Sequence, residues 1–315
     1  MNKNNYLPIK LQLLVNESIL IFDIYYFNKD KEEFILYHSK NSIFSEEQRK
    51  SIKEFKRKIY IKNDSIFNYL NYLNDNLGAT IANYEIKFNY KIKFYYHSAL
   101  EIVKVIYNNP ESKTNMAVSY ELARNTVDLV LDSEMKFKSL LEIIVNNNEN
   151  YTHSINTALL SVNFGKRLGL NYEALEELSI GAMLHDIGKT KLEPELLEKD
   201  IEERTEIENE RFREHVNYGF DIVKQYGDLP GNSKDIILNH HENFNGTGYP
   251  FKLKGKEISL LTQITTISDV FDSLSSKNNT NKSFDTFNIM KNNMSGSFND
   301  ELLISYIKMF SATYY

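Results

Sequence analysis

Residues 184–189, Leu-His-Asp-Ile-Gly-Lys, combine an imidazole, a carboxylate and an ammonium within one short segment. On a helix, His185 and Lys189 share a face because they are four residues apart, and Asp186 lies three residues before Lys189. The segment therefore offers a nitrogen ligand, a carboxylate that can bridge two metal ions, and a cation for a phosphate. For these residues alone, the alternative is an ordinary helix end, where Gly188 stops the helix and Lys189 meets its dipole.

Five of the seven histidines fall between residues 153 and 241, each on or at the end of a predicted helix with apolar neighbours. They are His153, His185, His215, His240 and His241. A single buried histidine is commonly a satisfied core residue. Five of them, interleaved with Asp186 and Asp269 on apolar helices, need charge compensation that a simple core does not supply. A polynuclear metal site explains them together.

Two further carboxylates flank this set. Glu149 precedes His153 by four residues. It either shares a helical face with that histidine as a ligand or caps the helix from a polar linker. Asp272 follows Asp269 by three residues and is a candidate hydrogen-bond partner for a metal-bound histidine.

The segment that follows the paired histidines is rich in glycine. Gly248 lets the backbone approach a ligand closely or take a positive φ, and Pro250 fixes the exit of the segment. Tyr249 offers a ring for stacking on a base and a hydroxyl for a phosphate. Glu242 is a further candidate to support the ligands. A tight turn from helix to loop explains the glycines but not their position beside two histidines.

Composition limits the classes of protein that fit. The 315 residues suggest about two domains, and the absence of cysteine leaves only His, Asp or Glu as metal ligands. A net charge of −6 argues against a polymeric nucleic acid as partner but allows a small phosphorylated ligand in a local basic pocket. No apolar run approaches the ~18 residues of a membrane span. We therefore expect a cytoplasmic protein without membrane insertion.

The pattern of elements predicts an α+β protein with a small α/β region followed by helices. Residues 19–27 and 33–37 predict paired strands, and Ser45 is the expected N-cap of a charged helix. His38 is expected at the surface. For residues 86–106 one helix is favoured over a strand entry. From residue 152 the chain reads as all-helical. Predicted helices there span 152–168, 174–186, 203–226, 233–241, 259–274, 284–291 and 300–310.

Together, the histidines, the His185-Asp186 pair with Lys189, the Gly248-Tyr249-Pro250 segment and Asp269 resemble the HD-GYP family. This is a branch of the HD phosphohydrolase superfamily that hydrolyses cyclic dinucleotides, chiefly cyclic di-GMP. The resemblance covers residues 121–315 and implies an all-α domain that holds two or three divalent ions, with iron or manganese expected. Residues 1–120 are then a regulatory or sensory domain of unknown ligand with a helical connector.

The resemblance also implies a role for each residue. One ion is expected on His153, His185, Asp186 and Asp269, and Asp186 bridges to a second ion on His215, His240 and His241. Glu149 falls where some members place a ligand of a third ion, and Lys189 contacts the scissile phosphate. Two departures stand out: Asn245 replaces the usual Asp, and Asn278 and Asn281 occupy the usual basic positions. Lys277 and Lys282, one residue away, are candidate phosphate contacts.

The expected reaction is hydrolysis of cyclic di-GMP to linear pGpG, GMP or both, by a hydroxide that bridges two ions. Lys189 adds positive charge where the transition state becomes more negative. One alternative substrate is another cyclic dinucleotide, such as cyclic GMP-AMP. The other alternative is a non-catalytic module that binds a cyclic dinucleotide and signals. A homodimer stays open.

Overall fold

The computed structural model describes residues 5–133, 135–145, 151–226, 229–277 and 283–311. The chain divides into two compact units, residues 1–86 and 87–315. This division lies earlier than the boundary at residue 120 that the sequence predicted. The helix over residues 88–108, which falls in the predicted connector, packs on other helices of the second unit.

The first unit contains a four-stranded antiparallel sheet of order β1-β6-β3-β4 and a two-stranded sheet of β2 and β5. Its elements are β1 Tyr6–Ile9, β2 Ser18–Leu20, β3 Ile24–Asn28, β4 Glu33–His38, β5 Ser42–Phe44, α1 Glu46–Glu54, β6 Ile59–Lys62 and α2 Ile66–Ala82. The predicted pairing of β3 with β4 is present, with Tyr26 opposite Ile35. The predicted strand 19–27 is two strands, because β2 pairs with β5 in the second sheet.

Two local details of this unit bear on the sequence predictions. Ser45 caps α1 in a capping box with Gln48, as its position predicted. His38 is buried, contrary to expectation. Its Nε2 lies 3.2 Å from the carbonyl oxygen of Ser42, and its ring meets the edge of Phe44. The tight link between β4 and β5 therefore encloses the imidazole.

The regular elements in the described ranges of the second unit are helices, and twelve of them are α-helices. They are α3 Phe88–Asn108, α4 Lys113–Leu131, α5 Phe137–Val145, α6 Thr152–Arg167, α7 Tyr172–Leu184, α8 Pro194–Glu198, α9 Glu206–Arg213, α10 His215–Lys224, α11 Gly231–Asn239, α12 Leu260–Lys277, α13 Ser283–Asn288 and α14 Asp300–Ser311. Residues 88–92 are helical, as favoured. The predicted helix 203–226 is two helices, α9 and α10, which meet at Glu214.

Helix α6 forms the centre of this unit and packs against α4, α7 and α12. Its residues 154–165 are buried, including Leu159 and Phe164, so the helix is enclosed by the protein on nearly every side. A polar side chain in such a position costs free energy unless it has a partner. Within the described ranges, no helix combines the length and apolarity that crossing a bilayer requires.

Candidate metal centre

Most of the predicted ligands lie at the ends of helices that converge on one point. One of them, Asp269, lies inside a helix that passes this point. His153 is the second residue of α6, His185 and Asp186 follow α7, His215 begins α10, His240 and His241 follow α11, and Asp269 lies within α12. A ligand at a helix end is held rigidly by the packed helix behind it. Convergence of several such ends is a suitable way to build a preorganised site.

The ligands form two groups that share one carboxylate. One group is Asp186, His215, His240 and His241, and the other is His153, His185 and Asp186. Within each group, the potential ligand atoms all lie within 4.8 Å of one another. Asp269 adjoins the second group, with Oδ1 3.0 Å from His153 Nε2 and 3.8 Å from His185 Nε2. Glu149 lies outside the described residues.

Backbone carbonyls fix the tautomer of three of these histidines. Each Nδ1 lies close to a carbonyl oxygen one turn earlier: His185 with Ala182 at 2.7 Å, His215 with Phe212 at 2.7 Å and His240 with Ile237 at 3.1 Å. A carbonyl oxygen only accepts, so Nδ1 must carry the proton. The lone pair of Nε2 is then free to face the centre of the site, which is the arrangement typical of metal-binding histidines.

Three buried atoms test whether these residues fit a metal. His185 Nε2, Asp186 Oδ1 and His241 Nε2 have no hydrogen-bond partner among the described residues. An unsatisfied buried polar atom costs about 1–3 kcal/mol, so three in one small volume need an explanation. A divalent ion on each side of Asp186 would satisfy all three. The donor set, imidazole nitrogen with carboxylate oxygen, suits iron, manganese or zinc.

Burial keeps the first group of histidines neutral. It lowers the pKa of His215 to about 3 and also lowers the pKa of His240 and His241. Burial alone raises the pKa of Asp186, but electrostatic interactions with His185 and with the Lys189 ammonium outweigh it and hold that pKa well below its usual range. Near neutral pH the group is therefore one carboxylate among uncharged imidazoles, which is the protonation state that metal binding requires.

His153 has the opposite environment. Burial lowers its pKa, but hydrogen bonds to Asp269 and Asp272 outweigh that effect and raise the pKa to about 10. Its Nδ1 lies 2.8 Å from Asp272 Oδ2. For Asp269, burial raises the pKa, but the hydrogen bond from His153 outweighs burial and holds the pKa far below its usual range. These three side chains form an ion-paired cluster in which the two carboxylates are buried and His153 is 30% exposed.

The HD segment itself departs from the predicted helix. Helix α7 ends at Leu184, and a 3₁₀ helix follows over Ile187–Lys191. In this segment, Lys189 Nζ donates a hydrogen bond to Asp186 Oδ2 at 2.5 Å. Gly188 is required for packing rather than for stopping α7, because a Cβ there would lie 1.9 Å from the carbonyl oxygen of His215. The close approach brings His215 to the site.

The Gly-Tyr-Pro segment is held by the chain around it. A Cβ on Gly248 would lie 2.4 Å from the amide nitrogen of Asn243, so this glycine serves close packing of the protein on itself. The Tyr249 ring stacks on His241 with ring centres 4.8 Å apart. Among the described residues, Glu242 accepts its hydrogen bonds from the amides of Phe251 and Leu253. It therefore fixes the segment that follows Pro250 rather than the orientation of a ligand histidine.

Two arginines beside this segment were missed by the sequence analysis. The Arg213 guanidinium lies 5.2 Å from the centre of the Tyr249 ring, and that of Arg204 lies 3.8 Å from the centre of the Phe212 ring. Lys189 Nζ is 5.4 Å from the same Phe212 ring. The position of Arg213, two residues before His215, was the available signal. The predicted phosphate contacts are Lys277 and Lys282. The side chain of Lys277 lies outside the described part of the structure, and so do residues Asn278, Asn281 and Lys282.

Comparison with known proteins agrees with this geometry. Residues 130–300 match the HD domain family. The chain is 28% identical over 170 residues to a cyclic di-GMP phosphodiesterase of Pseudomonas aeruginosa. This match covers 53% of the present chain and 41% of the relative. It is 29% identical over 169 residues to 3′3′-cGAMP-specific phosphodiesterase 2 of Vibrio cholerae. This match covers 52% of the present chain and 31% of the relative. The chain thus spans less than half the length of these curated relatives.

A solved structure shares the fold of nearly the whole chain. It is an HDG"Y"P protein from Bdellovibrio bacteriovorus, which aligns with a TM-score of 0.70 and 20% identity over 98% of this chain and all of that one. The chain belongs to the HD domain family, and its Gly248-Tyr249-Pro250 segment places it in the HD-GYP branch.

Proposed function

We propose that this chain is a metal-dependent phosphodiesterase that hydrolyses a cyclic dinucleotide. The observation that carries the proposal is the sharing of Asp186 by two groups of buried ligands, with Lys189 paired to the same carboxylate. When bound, two divalent ions supply Lewis-acid activation of the phosphodiester and of water. The relatives named for cyclic di-GMP and cyclic GMP-AMP support the substrate class.

Lys189 is the residue best placed to stabilise charge on the phosphate. Its side chain is 31% exposed, whereas that of Asp186 is 7% exposed. The ammonium is thus held by a buried anion at the accessible side of the ligand cluster. A cation fixed before the substrate arrives needs little reorganisation as negative charge builds on the phosphoryl oxygens.

Arg213 and Tyr249 are the proposed contacts for the rest of the substrate. Tyr249 already contacts His241 and the guanidinium of Arg213. We infer that the ring both covers His241 and positions Arg213 for a second phosphate of the ligand, while Arg204 adds positive charge over Phe212. Lys277 and Lys282 stay proposed phosphate contacts on the strength of their sequence positions alone.

For the individual substrate, we propose cyclic di-GMP, with linear pGpG, GMP or both as products. The main alternative is 3′3′-cyclic GMP-AMP, because relatives of both kinds are similar to this chain at 28% and 29% identity. A non-catalytic binding module is disfavoured, because the predicted histidine and aspartate ligands lie together among the described residues. The regulatory N-terminal domain, the homodimer and the cytoplasmic location stay predictions.

The direct test is turnover of a panel of cyclic dinucleotides by protein reconstituted with iron or manganese without oxygen. We expect cyclic di-GMP to be opened fastest and the reaction to stop when a chelator removes the metal. Binding of a cyclic dinucleotide with no hydrolysis under any metal would contradict the enzymatic proposal and favour the binding module.

Glu149 is proposed as a ligand of a third ion. Changing Glu149 to Ala should then reduce the number of bound ions by one and leave two. An unchanged number of ions would show that Glu149 serves only as a cap or linker residue.

A further inference from the structure

A line of buried hydrogen bonds leads from helix α3 to the metal centre. The hydroxyl of Tyr96 donates to Asn156 Oδ1 at 2.6 Å, and Asn156 Nδ2 donates to Asp272 Oδ1 at 2.9 Å. The other oxygen of Asp272 lies 2.8 Å from His153 Nδ1. The line joins α3, α6 and α12, and it ends on a histidine whose Nε2 faces Asp269 and Asp186.

The chemistry of these groups fixes the direction of every bond. A carboxylate only accepts, so Asp272 requires the NH₂ of Asn156 on one oxygen and the Nδ1 proton of His153 on the other. The amide oxygen of Asn156 then faces Tyr96, whose hydroxyl must donate. A reversed amide would set its oxygen against the carboxylate, which is unfavourable where water is excluded.

Burial makes each of these contacts matter. Tyr96 is 1% exposed, and Asn156 and Asp272 are each 2% exposed, so water does not replace a lost partner easily. Loss of the Tyr96 hydroxyl leaves the Asn156 oxygen without that donor. The orientation that points the amide NH₂ toward Asp272 is then less strongly favoured, so Asp272 is held less firmly against His153.

We propose that Tyr96 and Asn156 are positioning residues that orient His153, and through it set the affinity of the half of the centre formed by His153, His185 and Asp186. The inference rests on the metal-binding part of the proposed function. The other half should not respond, because His215 and His240 are oriented by backbone carbonyls. Partners one step beyond a ligand typically change metal affinity by about 10–100-fold.

Tyr95 is a matched control on the same helix. It is fully buried, and its hydroxyl lies 2.6 Å from the hydroxyl of Thr126, the same distance as in the Tyr96 contact. Thr126 in turn donates to the carbonyl of Leu122 in α4, away from the ligands. Tyr95→Phe removes the hydroxyl that contacts Thr126, and Tyr96→Phe removes the hydroxyl that donates to Asn156, so only Tyr96→Phe alters the line to His153.

The experiment is a titration of Mn²⁺ into metal-free full-length protein, in competition with a chromophoric chelator, for the unmodified chain, Tyr96→Phe and Tyr95→Phe. We expect Tyr96→Phe to weaken one of two binding constants about threefold to tenfold, the equivalent of one net hydrogen bond. Tyr95→Phe should leave both within twofold, with a similar loss of thermal stability. Asn156→Ala should weaken the same constant at least as much as Tyr96→Phe.

Equal effects of the two tyrosine variants, or none, would overturn the inference. If the unmodified chain binds no metal, the proposed function fails, and a second readout still tests the positioning role. The Nδ1 proton of His153 should give a downfield NMR signal in the metal-free protein because of its bond to Asp272. That signal should shift in Tyr96→Phe and stay in place in Tyr95→Phe; no shift in either variant contradicts the positioning role.

Discussion

The two halves of the metal centre use the same residue types but hold His153 and His215 in different charge states. In one half, burial keeps His215, His240 and His241 neutral, with the pKa of His215 lowered to about 3. In the other half, two carboxylates raise the pKa of His153 to about 10. At neutral pH one half is ready to accept a cation, whereas the other must first release a proton.

The number of carboxylates around each ring explains the difference. His153 contacts Asp269 and Asp272, each through its own ring nitrogen. His215 and His240 lie 3.6 and 3.7 Å from Asp186 Oδ1, and the other oxygen of that carboxylate is paired with Lys189. The charge of a histidine in this centre therefore depends on its nearest acids as well as on its burial.

Removing the carboxylate that both halves share should have the largest effect. In Asp186→Ala, both ions should be lost and turnover abolished, because each group of ligands contains this residue. Elemental analysis of reconstituted protein measures the loss. Asp128→Ala is the control, because Asp128 is exposed and contacts the hydroxyl of Tyr172. Retention of a full complement of ions by Asp186→Ala would show that the halves do not share this ligand.

Lys189→Ala should have the next largest effect. We expect kcat to fall by roughly 10²–10³, the scale for loss of one preorganised donor, with metal content unchanged because an ammonium is not a ligand. Lys191→Ala is the control, since Lys191 lies in the same 3₁₀ helix but pairs with Glu111. Steady-state kinetics and metal analysis check both variants. Full activity of Lys189→Ala would remove this lysine from the chemistry.

The contrast in histidine charge predicts different pH dependence for the two halves. The raised pKa of His153 means that its half gains metal affinity as pH rises toward about 10, by about tenfold per unit, because binding releases one proton. The lowered pKa of His215 leaves the other half nearly insensitive to pH above neutrality. Metal titrations between pH 6 and 8.5 should give one binding constant that increases with pH and one that stays nearly the same. Two parallel slopes would contradict the contrast.

The smallest expected effect concerns substrate binding beside the metal half that Tyr249 covers. Arg213→Ala should raise KM a few-fold and leave kcat nearly unchanged, because a contact equal in ground and transition states affects only binding. Arg211→Ala is a close control, since Arg211 lies on the same helix, α9, and pairs with Glu193. Equal KM values for the two variants would remove Arg213 from the substrate site.

The sequence predicted which side chains meet at the candidate metal centre better than it predicted the bonds that orient them. His185, Asp186 and the paired histidines could be identified because their types and order carry the chemistry, whatever the details of the backbone. The contact of Tyr96 with Asn156 joins residues 60 apart, and that of Asn156 with Asp272 joins residues 116 apart. Such contacts depend on how three helices pack, and helical periodicity does not reveal that.

The same limit applies to the backbone. The end of α7 at Leu184 is coupled to the approach of α10, because Gly188 packs on the carbonyl of His215. The break in the predicted strand 19–27 arises from pairing with β5, more than twenty residues away. In contrast, the N-cap at Ser45 was predictable, since its partner Gln48 is three residues along the chain.

The number of metal ions per chain tests the central claim most directly. Protein reconstituted without oxygen should hold at least two ions, one in each group of ligands around Asp186, as measured by elemental analysis of full-length chain at known concentration. Two or three ions, lost together in Asp186→Ala, are the predicted result. A chain that holds no ion, or only one under every condition of metal and pH, would contradict a centre of two halves.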